Sequence, residues 1–590
     1  MKTIIYISFF IVILFSSLTG CEEMKIGDAA LSAPPSVSVT VDTIFSKIEY
    51  AERFLFGGYE TLPYGLNTKN DDKLDKMGGD ILEAITDLNH SYLQTGGANK
   101  LYYSGQYTSG SEDGGDTKFG FIKDGAWEGI RIGWIFIENA DKIPDSTPEY
   151  IAQLKAEARV LIALHYTDMF RNFGGLPWIN KAYGIDDEID CPRLTAKATM
   201  DSIIHQLDLA APDLPWVVEN LSNMDGRFTK ASALGLKARL LLFCASPLFN
   251  DDMPYMDGEA AQQHFVWFGH KDPDLWQRAA DAAIYLIDEI EQGGYYALVN
   301  TGNPRQDFQD AYYKRGNGEI LISTRIQFKA PTKIKDNNFM FYQNAAEYGS
   351  ACPTQEYVDM FGMANGLPIT DPNSGFDPAN PLANRDPRLY ETVLVNGDTY
   401  QGRIAELWIG GRERPNQNFD GTRSGYGLRK FLLERDKATS LGSIIQWPYL
   451  RLAEIYLSAA EALNEVHGGP TPQAYQYVNI VRARVGLGGL QENLTQEEFR
   501  EAVLQERSKE FGYEEVRWFD LIRWKRESDF TKTLHGKDLF LNDDGTLEEQ
   551  ITVLPPRIWQ TNWSPKWYLS AFPQSEVYKE YGLMQNPGWE

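Results

Sequence analysis

Eighty-two Asp and Glu residues and seven histidines are the groups in this 590-residue chain with the chemistry for proton transfer or metal binding. The histidines (His90, His165, His205, His264, His270, His467 and His535) form no H-E-x-x-H and no pair at i, i+4, so no zinc ligand set is spelled out. His264 and His270 stand nearest, in a loop-like stretch where both read as solvated. Neither a G-x-S-x-G elbow nor a G-x-x-x-x-G-K-[ST] phosphate loop occurs. Gly486-Leu487-Gly488-Gly489 follows a helical pattern rather than a strand, which suits a helix C-cap better than a dinucleotide turn. Glycosidase carboxylates need no local motif and so stay open. Asp71-Asp72, Asp186-Asp187-Glu188 and Asp543-Asp544 nevertheless read as solvated loop charge. These residue types argue for binding rather than turnover.

One cysteine does carry chemistry. Leu18-Thr19-Gly20-Cys21 closes a segment in which Lys2 gives a thin positive start and Ile4 to Phe15 is apolar apart from Ser8. That run is too short for a permanent span, and the order is that of a secretory signal peptide over residues 1–20. Small residues directly before Cys21 resemble a bacterial lipobox, in which the cysteine is acylated and becomes the N-terminus. Several acyl chains, at about 0.8 kcal/mol per buried CH2, make a lasting anchor. Residues 21–42, with Glu22-Glu23 and then Ser, Pro and Val, read as a flexible tether. Cys191, Cys244 and Cys352 are left, an odd set without short spacing, which fits neither a disulfide framework nor a zinc site. Cys244, inside an apolar run, reads as a small buried hydrophobe. A formal net charge of −26 opposes nucleic acid and anionic lipid surfaces, leaving the lipid anchor as the expected membrane contact.

Ala-rich amphipathic helices must position whatever this chain binds. Spacing predicts helices over Gln153 to Phe173, Lys230 to Phe249, Trp276 to Gln292 and Tyr449 to Val466, with partners at Tyr475 to Val485 and Gln496 to Phe511. Alanines three or four apart let helix axes approach closely, as in stacked helical pairs, although no regular period of about 34 residues is kept. Residues 57–125 are rich in Gly, Asn, Asp and Tyr, while 294–350 and 364–446 alternate short β-like runs with turns. Glu319 to Ser323 reads as a strand. The expected fold is mostly α: a degenerate tetratricopeptide-like helical-pair scaffold with long loops and small β elements. It forms a single domain over 43–590, with helical repeats at about 150–295 and 447–525.

Several ordered passages then carry a family resemblance. Ala158-Arg159 with Gly174-Gly175-Leu176-Pro177, Gly226-Arg227-Phe228-Thr229-Lys230-Ala231 and Asn384-Arg385-Asp386-Pro387-Arg388-Leu389 are three of them. Tyr449-Leu450-Arg451-Leu452-Ala453-Glu454, Glu506-Arg507 onward to Arg517-Trp518-Phe519-Asp520-Leu521-Ile522-Arg523-Trp524, and Gln585-Asn586-Pro587-Gly588-Trp589 complete the set. Together they resemble the SusD/RagB family of Bacteroidota surface lipoproteins. Ser570-Ala571-Phe572-Pro573 departs from the family's shorter P-I-P-type turn. By their own chemistry Asp520 and Arg523 share one helical face beside Trp518 and Trp524, and Arg385, Asp386 and Arg388 are of the same kind. The residues that mark the family therefore read as ion-pair and packing scaffold.

The resemblance implies a non-catalytic lid on a SusC-like TonB-dependent transporter of the outer membrane, facing the exterior and capturing a glycan or, in some members, a peptide. Glu22-Glu23 is similar to the acidic export signal of such lipoproteins. Ligand loops then fall at about 57–125 and 255–350. There sugar faces would stack on aromatic rings while Asn, Asp and Arg satisfy hydroxyls. By loop position the candidates are Tyr64, Asn67, Asp72, Tyr102 and Tyr103, then Trp267, Phe268, Tyr313, Tyr342 and Tyr348, each with packing as its plainer role. Trp276 opens an Ala-rich helix and is assigned to the core. No cofactor is implied; Asp-rich loops without EF-hand spacing leave a structural calcium ion open. A lipoprotein glycosidase and a two-lobed solute-binding lipoprotein are the competing classes, the second disfavoured by the Ala-rich helices.

Overall fold

The structure, a computed structural model, describes residues 40–67, 76–122, 125–184, 187, 191–326, 338–433 and 445–590. Cys21, the signal segment and most of the expected tether lie outside those residues. The tether's expected end lies inside, and there order starts early. Val41–Ile44 already form a helical turn, with Thr40 Oγ1 accepting from Thr43 N at 3.3 Å, and Phe45 is buried.

The main helices are α1 (Ile48–Tyr59), α2 (Ala126–Asn139), α3 (Pro148–Phe173), α4 (Ala196–Ala210), α5 (Lys230–Ala245) and α6 (Asp274–Gly293). They continue as α7 (Pro304–Tyr313), α8 (Pro387–Thr392), α9 (Leu452–His467), α10 (Pro472–Arg484), α11 (Gln496–Phe511) and α12 (Arg517–Arg523). Their starts follow capping chemistry. Thr147, Thr195, Thr229, Thr471 and Thr495 each accept a hydrogen bond from the third helical N–H, and proline opens α3 and α10. Helices near in sequence pack together, α1 on α2, α2 on α3, α3 on α4, α5 between α4 and α6, and α9 against α10 and α11, while α9 also closes on the distant α6. No helix among the described residues is long and apolar enough to cross a membrane.

α3 and α10 begin earlier than expected, at the prolines after their capping threonines, and two further boundaries differ for local reasons. α5 stops at Ala245 because Ser246, which precedes Pro247, turns to extended geometry (ψ 158°). α9 begins at Leu452 because Trp447–Arg451 is a strand. That strand, β2, pairs antiparallel with β1 (Ile320–Thr324), Ile322 opposite Leu450. β3 (His535–Leu541) and β4 (Leu547–Val553) form a hairpin. Shorter ladders join Val393–Leu394 to Gly427–Leu428 and Thr399–Tyr400 to Arg403–Ile404. The fold is thus mostly helical with small two-stranded sheets.

A single large core runs through most of these elements, and it takes in the stretch 57–125 that the composition marks as loop. Tyr64, Met77, Ile81, Ile85, Leu88, Tyr102 and Phe121 are all buried there. Cys244 is fully buried in α5, as its apolar run predicts.

Charge is also buried, where α8, α10, α11 and β2 converge. Arg388 meets Asp386 at 2.8 Å, Glu506 at 2.8 Å and Glu510 at 3.1 Å. Arg451 meets Glu319 at 2.7 Å, Glu510 at 2.9 Å and Glu514 at 2.8 Å, while Arg484 joins Glu319 and Glu510. Burial alone would raise the carboxyls of Glu506 and Glu510. The guanidiniums around them, with Lys509 beside Glu506, outweigh it and hold both below the usual carboxylate range. In α12, Arg523 joins Asp520 at 2.9 Å and Glu461, and Arg507 reaches Asp520 at 2.8 Å. Asp386, Arg388, Arg451, Glu506, Arg507, Asp520 and Arg523 are the passages that carry the family resemblance, and here they are scaffold.

Candidate functional site

A cavity of about 250 Å³ opens between a turn at 342–347, the two short ladders and the loop 412–422. Gln343–Glu347 is a π-helical turn, a form that recurs at functional sites. Asn344 Nδ2 pins this turn to the body by donating to Gly79 O at 3.2 Å. Gly421 lets the turn lie close, since a Cβ at that position would collide with Ala346 O. The turn contributes Tyr342, Ala346 and Glu347 to the wall. Leu394 and Leu428, both buried, add apolar surface from one ladder. Tyr400, Gln401 and Arg403 come from the other, and Arg412, Glu413 and Phe419 from the loop.

Hydrogen bonds fix part of this wall in advance. Arg403 Nη2 donates to Glu413 Oε1 at 2.5 Å, and Glu413 Oε2 accepts from Glu406 N–H at 2.7 Å. Arg412 is exposed, and its guanidinium has no partner among the described residues. Tyr342 and Phe419 are half-buried. Rings and leucines therefore stand beside a fixed Arg–Glu pair, an amide and one unpaired guanidinium. This arrangement can stack an apolar ligand face and satisfy polar groups along its edge. The lining holds no histidine or cysteine. Among the described residues no cluster of three or more His, Cys, Asp or Glu is placed to hold a metal ion.

Of the residues singled out by loop position, Tyr342 enters this wall, and Tyr348, 46% exposed, follows the same turn. Tyr313 ends α7 half-buried, and half-buried Trp267 donates its Nε1–H to Ala261 O at 2.8 Å; neither lines the cavity. The others are interior. Tyr64 donates to Ile445 O at 3.1 Å beside Trp447, and Asn67 Nδ2 donates to Gly79 O at 2.8 Å. Tyr102 accepts from Lys118 N at 3.0 Å and stacks on Tyr107 at 5.0 Å. Tyr103 accepts from Ser91 N at 3.0 Å, donates to Ala84 O and stacks on His90 at 4.9 Å; burial pushes its hydroxyl up to about 12. Phe268 packs on Phe249, and Asp72 lies outside the described residues. For the tyrosines the correction has one cause. A Gly/Asn/Tyr-rich stretch looks solvated, yet the hydroxyls of Tyr64, Tyr102 and Tyr103 find backbone partners, so these rings can enter the core. Trp276 is core as expected, stacked on Trp524 at 5.6 Å. Sequence reasoning does not reach Tyr400, Arg403, Arg412 or Phe419. The only local signal is the hairpin-like Tyr400-Gln401-Gly402-Arg403, a ring and a guanidinium flanking a turn.

Comparison with known proteins supplies the relationship. SusD-like protein P25 of Formosa agariphila is 44% identical over 417 residues, 66% of this chain and 67% of that protein. SusD-like protein P2 of the same organism is 41% identical over 83 residues, so the chain spans only 16% of P2. A SusD-like protein of Bacteroides fragilis shares the fold with a TM-score of 0.71 at 22% identity, over 94% of this chain and 100% of that one. A SusD-like carbohydrate binding protein of the same species does so with a TM-score of 0.67 at 19% identity, over 91% and 99%. The SusD family profile matches residues 323–589. With that profile and the extent of the P25 match, the chain belongs to the SusD family, whose members are non-catalytic binding proteins.

Proposed function

We propose that this protein captures oligo- or polysaccharide at the cell surface in the Tyr342–Phe419 cavity and passes it, unchanged, to a SusC-like TonB-dependent transporter. The observation that carries the reading is the cavity itself. Half-buried rings stand beside a pre-fixed Arg403–Glu413 pair and an exposed Arg412 without a side-chain partner among the described residues. Sugar C–H faces stack on rings and hydroxyls need fixed donors and acceptors, which is what this wall offers. The carbohydrate binding relative from Bacteroides fragilis supports the ligand class. The lipobox at Cys21 supports an outer-membrane anchor, and a tether behind it keeps the local concentration of a lid over its barrel high.

The purified ectodomain is expected to retain at least one polysaccharide from an array of neutral and acidic glycans, with the soluble form of that glycan competing. Retention of peptides alone would overturn the ligand class, and retention of neither would overturn capture. Gentle detergent extraction is expected to co-purify a TonB-dependent barrel. Cys21→Ala is expected to leave ligand binding intact and to release the protein from the membrane; a variant still anchored contradicts the lipobox.

A further inference from the structure

We infer a second subsite, separate from the Tyr342–Phe419 cavity, that takes one neutral saccharide unit between α1 and the end of β1. It rests on the reading of the chain as a glycan-capturing protein. A cavity of about 270 Å³ lies there, walled by Phe56 and Tyr59 of α1, by Glu60 just after it, by residues 223–227 and by Ser323 to Arg325. None of its lining residues lines the first cavity.

The wall is built from ion pairs. Arg227 is held by Glu157 through bonds of 2.5 and 3.1 Å, and Tyr59 OH donates to the same carboxylate at 2.7 Å. Arg325 grips Asp225 through two bonds of 3.1 Å, and Arg315 shares that carboxylate at 2.8 Å. Gly226, at φ +92°, makes room for this: a Cβ there would stand 2.9 Å from Arg325 Nη2. That is a physical reason for the Gly226-Arg227 passage. The Arg227 guanidinium lies 5.3 Å from the Phe56 ring centre, so that ring is steadied too.

Two side chains are left over. The Asn223 amide and the Glu60 carboxylate, both exposed, have no hydrogen-bond partner among the described residues. They face a wall that also carries Phe56, Tyr59, Leu62 and Met224. Arg227, Arg315 and Arg325 face Glu157, Asp225 and Glu60, so the local charge sums to zero and an anionic ligand meets Glu60. A cation would meet Arg227 and Arg325. A neutral polyhydroxyl ring fits both constraints: its hydroxyls donate to Glu60 and Asn223, and its C–H face lies on Phe56. A polysaccharide that reaches both cavities is then gripped at two points, which raises avidity without a stronger contact at either.

The test soaks ectodomain crystals with glucose, galactose, mannose, xylose and fucose, one at a time. It is paired with saturation-transfer NMR on Tyr342→Ala and on the double variant Tyr342→Ala/Asn223→Ala. Expected are a pyranose ring between Phe56 and Asn223 and a signal that persists in the single variant. Affinity should fall about tenfold in the double variant, the factor for one lost hydrogen bond of about 1.4 kcal/mol. A sugar in the Tyr342 cavity alone overturns this subsite and leaves the proposed function standing. A sugar in neither cavity overturns both. A sugar between Phe56 and Asn223 alone keeps this subsite and removes capture from the Tyr342 cavity.

Discussion

The buried charge cluster and the Tyr342–Phe419 cavity use the same side chains to opposite ends. In the cluster, Arg388 and Arg451 are fully buried and each meets three carboxylates. In the cavity, Arg403 is half-buried with one carboxylate, and Arg412 is exposed with none among the described residues. A buried guanidinium must be saturated, because its desolvation cost is offset only by several close partners. Saturated in this way it can do nothing else. A guanidinium at the edge of water keeps spare donors and can spend them on a ligand. The number of partners separates scaffold from site here, and residue type does not.

The largest effect expected from that contrast is on stability. Arg388→Met leaves Asp386, Glu506 and Glu510 short of a partner, and breaking a buried pair from one side costs about 3–5 kcal/mol. Denaturant unfolding is expected to show that loss, while the ligand affinity of the folded fraction holds. A loss under about 1 kcal/mol would mean that the cluster does not stabilise the fold in the way proposed.

Acid should act on the same cluster, because the folded carboxyls of Glu506 and Glu510 are held low. Their contribution is complete above the unfolded value of about 4.3 and is lost as pH falls through the lower folded values. Arg388→Met should flatten that dependence.

Glu83 sharpens the comparison from the other side, as a buried carboxylate with no guanidinium ion-paired to it among the described residues. Burial, then the nearby charge of Glu515, raises it to about 8. A raised acid loses stability as pH rises from its unfolded value of about 4.3 towards that folded value. Glu83→Gln removes the loss and is expected to gain on the native chain by a few kcal/mol by pH 8, since each pH unit between the two values is worth about 1.36 kcal/mol. Thermal melts at pH 5 and pH 8 check it; an equal difference at both pH values would contradict the account.

The smallest structural effect belongs to the cavity. Arg412→Ala should change stability by no more than about 0.5 kcal/mol, the usual range for an exposed position, yet weaken glycan binding several-fold.

The same contrast explains what could be read from the sequence. Helices α3, α5, α6 and α9 are legible because Ala-rich periodicity is local, and α10 and α11 are legible as their partners. The roles of Asp520 and Arg523 were legible because a three-residue spacing fixes them on one helical face. α1, α2 and α4 carry an apolar face as well, but not the repeated alanines that mark the others. The cavity was not legible, since it joins residues 342–347, 394–428 and the body at Gly79 through contacts far apart in the chain. Tyr102 and Tyr342 sit in similar-looking loops. Tyr102 is interior, with the Lys118 N–H on its hydroxyl and Tyr107 and Trp567 against its ring, which no local spacing announces.

Capture at the Tyr342–Phe419 cavity is the central claim. Its most direct test is calorimetric titration of a glycan retained by the native ectodomain into Tyr342→Ala/Phe419→Ala, with the melting temperature followed in parallel. The expected result is an affinity loss of about 100-fold, or about 2.7 kcal/mol, with the fold still intact. Native affinity in a folded double variant would contradict it.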